Sequence, residues 1–235
     1  MYRIVLDTET AGNVEDHSSL RVYDFGFQLV DSKFNVVLER RYFVSEIFND
    51  HELMSSAYYA KKLPQYYQAL ANKEVEIRPW LAIMKEFADI CKAYKVKEVW
   101  AFNAGFDRDA TNATTETLSN GFRSWFIPYG VEWKCIQRAA AMTLCNSKNY
   151  FKFAYENGFI SAKGNVQTTA EAVYAYLTNN PAYKEEHTAL EDVKIETAIL
   201  ARVKRRHQKV DTKPSRSAWR APQKKFKEWV KKNVK

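Results

Sequence analysis

The sequence predicts an α/β protein: a mixed five-stranded sheet flanked by helices, followed by a basic C-terminal extension. Three observations carry that expectation. Early in the chain, three strand-like segments follow one another with no helix between them. Further on, strand-like and helical segments alternate, the pattern of a sheet covered by helices. The chain also has 235 residues, 46% of them apolar, enough to bury one sizeable core without disulfide or metal staples.

Residues 2–9, YRIVLDTE, open with an apolar run and end in two acids. They read as a buried central strand whose carboxyl end faces a site. Residues 22–31 and 34–44 read as two further strands, and Asp31-Ser32-Lys33 suits the short connection of a hairpin. Pro79 stands at the first position of a helix reaching Tyr94. Its apolar residues, from Trp80 and Ile83 through Phe87 to Ile90, recur at helical spacing. Residues 96–102 and 131–136 complete the set of five strands, and helices are predicted around 137–145, 169–178 and 189–206. Residues 46–78 break the alternation. Their Tyr58, Tyr59, Tyr66 and Tyr67, beside Lys61 and Lys62, either pack an irregular insert or offer stacking faces to the bases of a single strand. Packing is the commoner use of such tyrosines.

Charge is unevenly spread. The net formal charge is +8, yet residues 202–235 hold fourteen basic residues against two acids, Asp211 and Glu228, while the first 201 residues are mildly acidic. A basic appendage on an acidic body points to a polyanionic partner, nucleic acid first, because Lys and Arg release counterions from phosphates. A merely solvated tail and an anionic membrane surface are the other readings. Within this tail Phe226, Trp229 and Val230 fall at i, i+3 and i+4 among lysines, which predicts a short basic amphipathic helix. The expected division is therefore residues 1–206 as the body and 207–235 as the extension. No apolar stretch approaches the roughly 20 residues of a membrane helix. An acid at position 7 comes too early for a secretory signal. Cys91, Cys135 and Cys145 are odd in number and form no CxxC pair, which fits a reducing, cytoplasmic setting.

Three short segments carry chemistry. In Asp7-Thr8-Glu9 the alternation of a strand puts both carboxylates on one side. Two such acids repel each other, and a divalent cation, Mg²⁺ or Mn²⁺ rather than zinc, relieves the conflict. In Phe102-Asn103-Ala104-Gly105-Phe106-Asp107 the aspartate follows a strand and enters a helix. It is either a site acid or simply an acid favoured by the helix dipole, with Asp109 as the rival position. In Glu186-His187-Thr188-Ala189-Leu190-Glu191-Asp192, Thr188 and Glu191 form a T-x-x-E capping box. That places His187 on the loop just before a helix and Asp192 at its fourth position, side by side with the histidine free to swing.

In order and spacing these segments resemble the three motifs of the DEDDh exonuclease family, which includes bacterial proofreading subunits and RNase T-like enzymes. Asp7 and Glu9 match the DxE of the first motif. Asp107, with Asn103 and Phe106, matches the second, and His187 and Asp192 match the HxAxxD of the third. The likeness covers roughly residues 1–205, and the chain's size is similar to that of exonucleases encoded by phages and their bacterial hosts. Two positions depart from the family: Phe102 stands where many relatives have histidine, and Cys135-Ile136 where many have Asp-Thr. Neither supplies a metal ligand.

The resemblance implies a ribonuclease H-like fold and a 3′–5′ exonuclease of DNA or RNA that releases nucleoside 5′-monophosphates. It implies two Mg²⁺ (or Mn²⁺) ions about 3.5–4 Å apart, held by Asp7, Glu9, Asp107 and Asp192, with His187 as general base. Glu9 would also touch the terminal sugar, and Thr10, Asn103 and Phe106 would line the substrate site, although Phe106, fully apolar at a helix start, also reads as core. Partners on this reading are single-stranded 3′ ends and a polymerase or other replication protein reached through the tail. The alternative is a replication accessory or nucleic-acid-binding protein built on a nuclease fold.

Overall fold

A computed structural model describes residues 1–13, 15–57 and 59–234. Tyr58, one of the paired tyrosines, lies outside the described residues. Strands β1 (Arg3–Ala11), β2 (Arg21–Val30) and β3 (Val36–Val44) form an antiparallel meander. Between β2 and β3 the Asp31 carboxylate accepts the backbone N–H groups of Lys33 and Asn35 at 2.8 and 2.9 Å, and Phe34 takes a positive φ of 69°. The hairpin loop therefore extends through Asn35, and Phe34 belongs to it rather than to the strand.

After β3 come two short helices, α1 (Ser45–Phe48) and α2 (His51–Ser55), then α3 (Leu63–Ala71). A three-residue strand, β4 (Glu76–Arg78), pairs parallel to β3. The sheet thus has six strands, in the order β4-β3-β2-β1-β5-β6, one more than the sequence predicted. β4 escaped detection because three residues are too few for an alternation to register. Helix α4 (Trp80–Ala93) begins one residue later than expected: Pro79 stands at the N-cap position and not at the first helical one. It leads to β5 (Glu98–Ala101), parallel to β1 with Ile4 opposite Val99 and Val5 opposite Trp100. Helix α5 (Ala104–Leu118) then runs back to β6 (Glu132–Cys135), parallel to β5. β1 is therefore where the antiparallel meander meets the parallel crossovers, and the carboxyl ends of β1 and β5 open side by side. In open α/β sheets such ends are where ligands bind.

The remaining helices are α6 (Ile136–Met142), α7 (Lys148–Glu156), α8 (Ala170–Thr178) and α9 (Ala189–Lys204). One apolar cluster fills the sheet face under α4 and α5, around Phe25, Phe27, Trp80 and Phe87. The other lies under α6 to α9, around Trp100, Tyr150, Ile199 and Leu200. Among the described residues no helix is long and apolar enough to cross a membrane.

The basic segment docks on the body. The Thr212 carbonyl accepts the Cys135 N–H at 2.7 Å, and Arg138 meets Asp211 at 2.6 Å. Helix α10 (Gln223–Asn233) sinks Phe226, 1% exposed, into the second cluster against Phe151. Gln223 exchanges two 2.9 Å hydrogen bonds with the backbone of Val166. The lysines at 224, 225, 227, 231 and 232 stay exposed.

Candidate active site

At the carboxyl ends of β1 and β5 lies a cavity of about 390 Å³ lined by Asp7, Glu9, Asn103, Phe106, Asp107, His187 and Asp192. Seven of the eight residues singled out from the sequence meet there. Thr10 does not: it follows a register shift in the β1–β2 ladder, is buried, and is not among the lining residues.

Each element brings its acid for a physical reason. Asp7 and Glu9 share one side of β1 by strand alternation. Asp107 sits in the first turn of α5, 3% exposed, where Thr8 Oγ1 donates to its Oδ1 at 3.0 Å and ties the first segment to the second. Asp109, the rival position, points elsewhere: it accepts from Arg216 and lies beside His17 and Arg108. Asn103, exposed at the N-cap of α5, uses no side-chain cap bond and lines the cavity. Phe106 is half-buried, its ring edge-on to His17 at 5.6 Å while also lining the cavity, so both readings of it hold in part.

The third segment is built differently from the capping box expected. Thr188 is the N-cap of α9, but its hydroxyl is buried and finds no partner among the described residues, and Glu191 pairs with Lys194. The acceptor comes instead from β2. Asp24, fully buried and held by the Arg41 guanidinium at 2.7 Å, takes the Ala189 N–H at 3.3 Å. Gly26 makes this approach possible, since a Cβ there would stand 2.6 Å from the backbone of Ala189 and Leu190. The helix start is thus pinned to the sheet by long-range contacts that no local pattern contains.

His187 precedes that start with φ at +50°, an uncommon conformation for a residue with a side chain. Its loop is braced by the insert. Lys62 donates to the carbonyl of Glu186 and, at 3.4 Å, to that of His187, and Tyr59 stacks on the imidazole with ring centres 4.7 Å apart. Tyr66, by contrast, is core, hydrogen-bonded to Tyr23, while Tyr67 is exposed against Phe48. His187 Nδ1 lies 4.0 Å from Asp192 and 3.9 Å from Glu185.

Electrostatically the cavity is a concentration of acids. Burial raises Asp7 well above the usual carboxylate range, and Glu196, Asp107, Glu9 and Asp192 raise it further. Glu9 is raised by burial and by Asp24 and Asp192, with Lys62 opposing. Burial pushes Asp107 up to about 7 against the Thr8 hydrogen bond, and Asp192 up to about 7 against Lys62. His187 is lowered by burial and by Lys62, which keeps the imidazole neutral. Asp192 Oδ1 is buried and has no hydrogen-bond partner among the described residues. Glu9, His187 and Asp192 each bring a ligand atom within 4.8 Å of the others. Two carboxylates and an imidazole with one orphaned oxygen, in a cavity lined by further acids, fit a divalent cation. Two acids of this cavity, Glu185 and Glu196, were missed in the sequence. Glu196 left one signal: it occupies an apolar-stripe position of α9, four residues after Asp192.

No family model matches the chain, and no curated protein matches it by sequence. Solved structures do. Escherichia coli exonuclease I in complex with a dT13 oligonucleotide aligns over 88% of this chain and 41% of its own, at 17% identity and a TM-score of 0.56. The fold is the ribonuclease H-like fold of exonucleases. Exonuclease I in its apo form aligns at 17% identity and a TM-score of 0.54, and the zinc-bound complex of the E. coli enzyme with single-stranded DNA at 17% and 0.53. The chain spans 40–42% of the length of the exonuclease I chain in these three structures.

Proposed function

We propose that residues 1–206 form a metal-dependent 3′–5′ exonuclease of the DEDDh type and that the docked segment 207–235 supports it. The observation that carries the reading is the meeting of Asp7, Glu9, Asp107, Asp192 and His187 in one cavity, from three stretches of chain far apart in sequence. Asp7, Glu9, Asp107 and Asp192 would hold two divalent cations, Mg²⁺ or Mn²⁺. Cations held there supply charge neutralisation and Lewis-acid polarisation at a scissile phosphodiester.

The chain's own groups do the rest. Neutral His187 accepts a proton from the attacking water at a ring nitrogen, while Tyr59 and Lys62 hold its loop. Asn103 and Phe106 orient the terminal nucleotide, and Glu9 is placed to meet its sugar. The exonuclease I neighbours carry single-stranded dT13 and dA16 oligonucleotides, which supports single-stranded 3′ ends as substrate. Cleavage there leaves a nucleoside 5′-monophosphate.

The test is a time course on matched single-stranded DNA, single-stranded RNA and duplexes, labelled at either end, with Mg²⁺, Mn²⁺ or chelator. Mononucleotides should leave from the 3′ end with either cation and not with chelator. In the same assay His187→Ala should cost roughly 10²–10⁴-fold in rate. Binding without hydrolysis under every condition would instead support the accessory-protein reading.

A further inference from the structure

Beyond the four acids of the motifs, the cavity holds two more, Glu185 and Glu196, that the reaction scheme leaves unused. Glu196 is 3% exposed and lines the cavity with Asp7, Asp107 and Asp192. It stands four residues after Asp192 on α9, so the two side chains share one helix face one turn apart. Further along that face come Ile199, Leu200 and Val203, all buried. The stripe therefore changes from acid to apolar as it leaves the cavity, and packing alone would favour an apolar side chain at 196. Glu196 Oε2 accepts the backbone N–H of Phe102 at 3.2 Å, the residue that joins β5 to the Asn103–Asp107 segment. Among the described residues no Lys, Arg or His lies within 4.0 Å of its carboxylate. A buried carboxylate with one backbone hydrogen bond and no cation of its own is costly as an anion: it keeps a proton or takes a cation from outside the chain. Asp192 Oδ1, buried and without a partner among the described residues, independently marks the same cavity as a cation site.

We propose that Glu196 is a fifth carboxylate of the cation site, a positioning residue that joins α9 to the end of β5 and adds its charge to the hold on the metal. The inference rests on the exonuclease reading only in taking the cavity to bind divalent cations. With one oxygen committed to Phe102, Glu196 acts mainly through charge and through the placement of Asp107 and Asp192.

Glu196→Gln separates this role from that of a plain structural staple. The amide oxygen can still accept the Phe102 N–H, but the charge is gone. Mn²⁺ binding to the chelator-stripped full-length chain would be measured by calorimetry, and melting temperature followed with and without Mn²⁺. Glu196→Gln should weaken Mn²⁺ binding about 10–100-fold, the usual cost of losing a group that supports metal ligands. It should leave the melting temperature of the metal-free protein at or above the wild-type value, because glutamine keeps the Phe102 hydrogen bond without burying an acid, and shrink the rise that Mn²⁺ produces. Glu196→Asp, which keeps the charge, should retain more Mn²⁺ affinity than the glutamine variant. Unchanged Mn²⁺ affinity in Glu196→Gln, or a metal-free variant that melts lower or fails to fold, overturns the proposal. If the wild-type chain binds no Mn²⁺ at all, it is the exonuclease reading itself that fails.

Discussion

Asp107 and Asp109 stand two residues apart on α5, and their surroundings are opposite. Asp109 is ringed by the protein's own polar side chains: Arg108 at 2.8 Å, Arg216 at 3.1 Å and His17 at 3.1 Å. Despite some burial, those hydrogen bonds hold it below the usual aspartate range. Asp107 has a threonine hydroxyl and a cavity it shares with Asp7, Glu9, Glu185, Asp192 and Glu196, and burial lifts it to about 7. The same division separates Asp24, locked to Arg41, from Asp7, Glu9 and Glu196, which no Lys or Arg reaches within 4.0 Å among the described residues. Acids matched inside the chain brace the fold, as Asp24 does at the start of α9 and Asp109 where the C-terminal segment docks. Acids left unmatched share the cavity that the proposed function gives to an external cation.

The largest effect should separate the two aspartates directly. Asp107→Ala should abolish hydrolysis while leaving a folded protein, since it removes a repelling charge along with a ligand. Asp109→Ala should keep most of the activity and lose some stability. Paired kinetic and urea-denaturation measurements check this, and comparable activity in the two variants would erase the contrast.

A second consequence concerns pH. In the metal-free protein Asp107 and Asp192, each raised to about 7, keep protons that the unfolded chain has already released at an ordinary aspartate value near 3.9. Between about pH 4 and 7 the folded state therefore binds more protons, and stability falls as pH rises through that window. Melting temperatures in chelator should decline across it, and excess Mg²⁺ should flatten the decline. A flat profile in chelator would mean that the acids are not crowded as described.

The smallest effect lies with the exposed lysines of α10, which mirror the acids by pairing with no carboxylate within 4.0 Å among the described residues. Binding of a single-stranded oligonucleotide should lose roughly 0.7 from its log–log salt slope for each exposed lysine that meets a phosphate. Substituting Lys224, Lys225 and Lys227 by Gln reads this without disturbing Phe226. An unchanged slope would make the helix purely structural. Truncating the whole segment would not serve, because Phe226 belongs to the core.

How far these features could be read in the sequence depends on the range of the interactions behind them. β1, α4 and the α9 start announce themselves locally, through apolar runs, Pro79 and the acids and histidine that follow one another within a few residues. The choice of Asp107 over Asp109 came only from the motif resemblance, because both suit a helix start and position alone does not give the direction of the side chain. Thr188 looked like half of a capping box; the cap came from Asp24, 165 positions away. Tyr59 and Lys62 could be read as packing or stacking, but their hold on the His187 loop depends on an approach across more than 120 residues.

By itself, the sequence determined the α/β class, most strands of the sheet and the identity of the acids and histidine that share the cavity, because strand alternation, helical period and motif spacing are short-range. Only the tertiary structure decided which acids find cations within the chain, that Glu185 and Glu196 join the cavity, and that the basic segment docks instead of trailing free. Those outcomes are set by burial and charge neighbourhood, and both are sums over residues that folding, not sequence order, brings together.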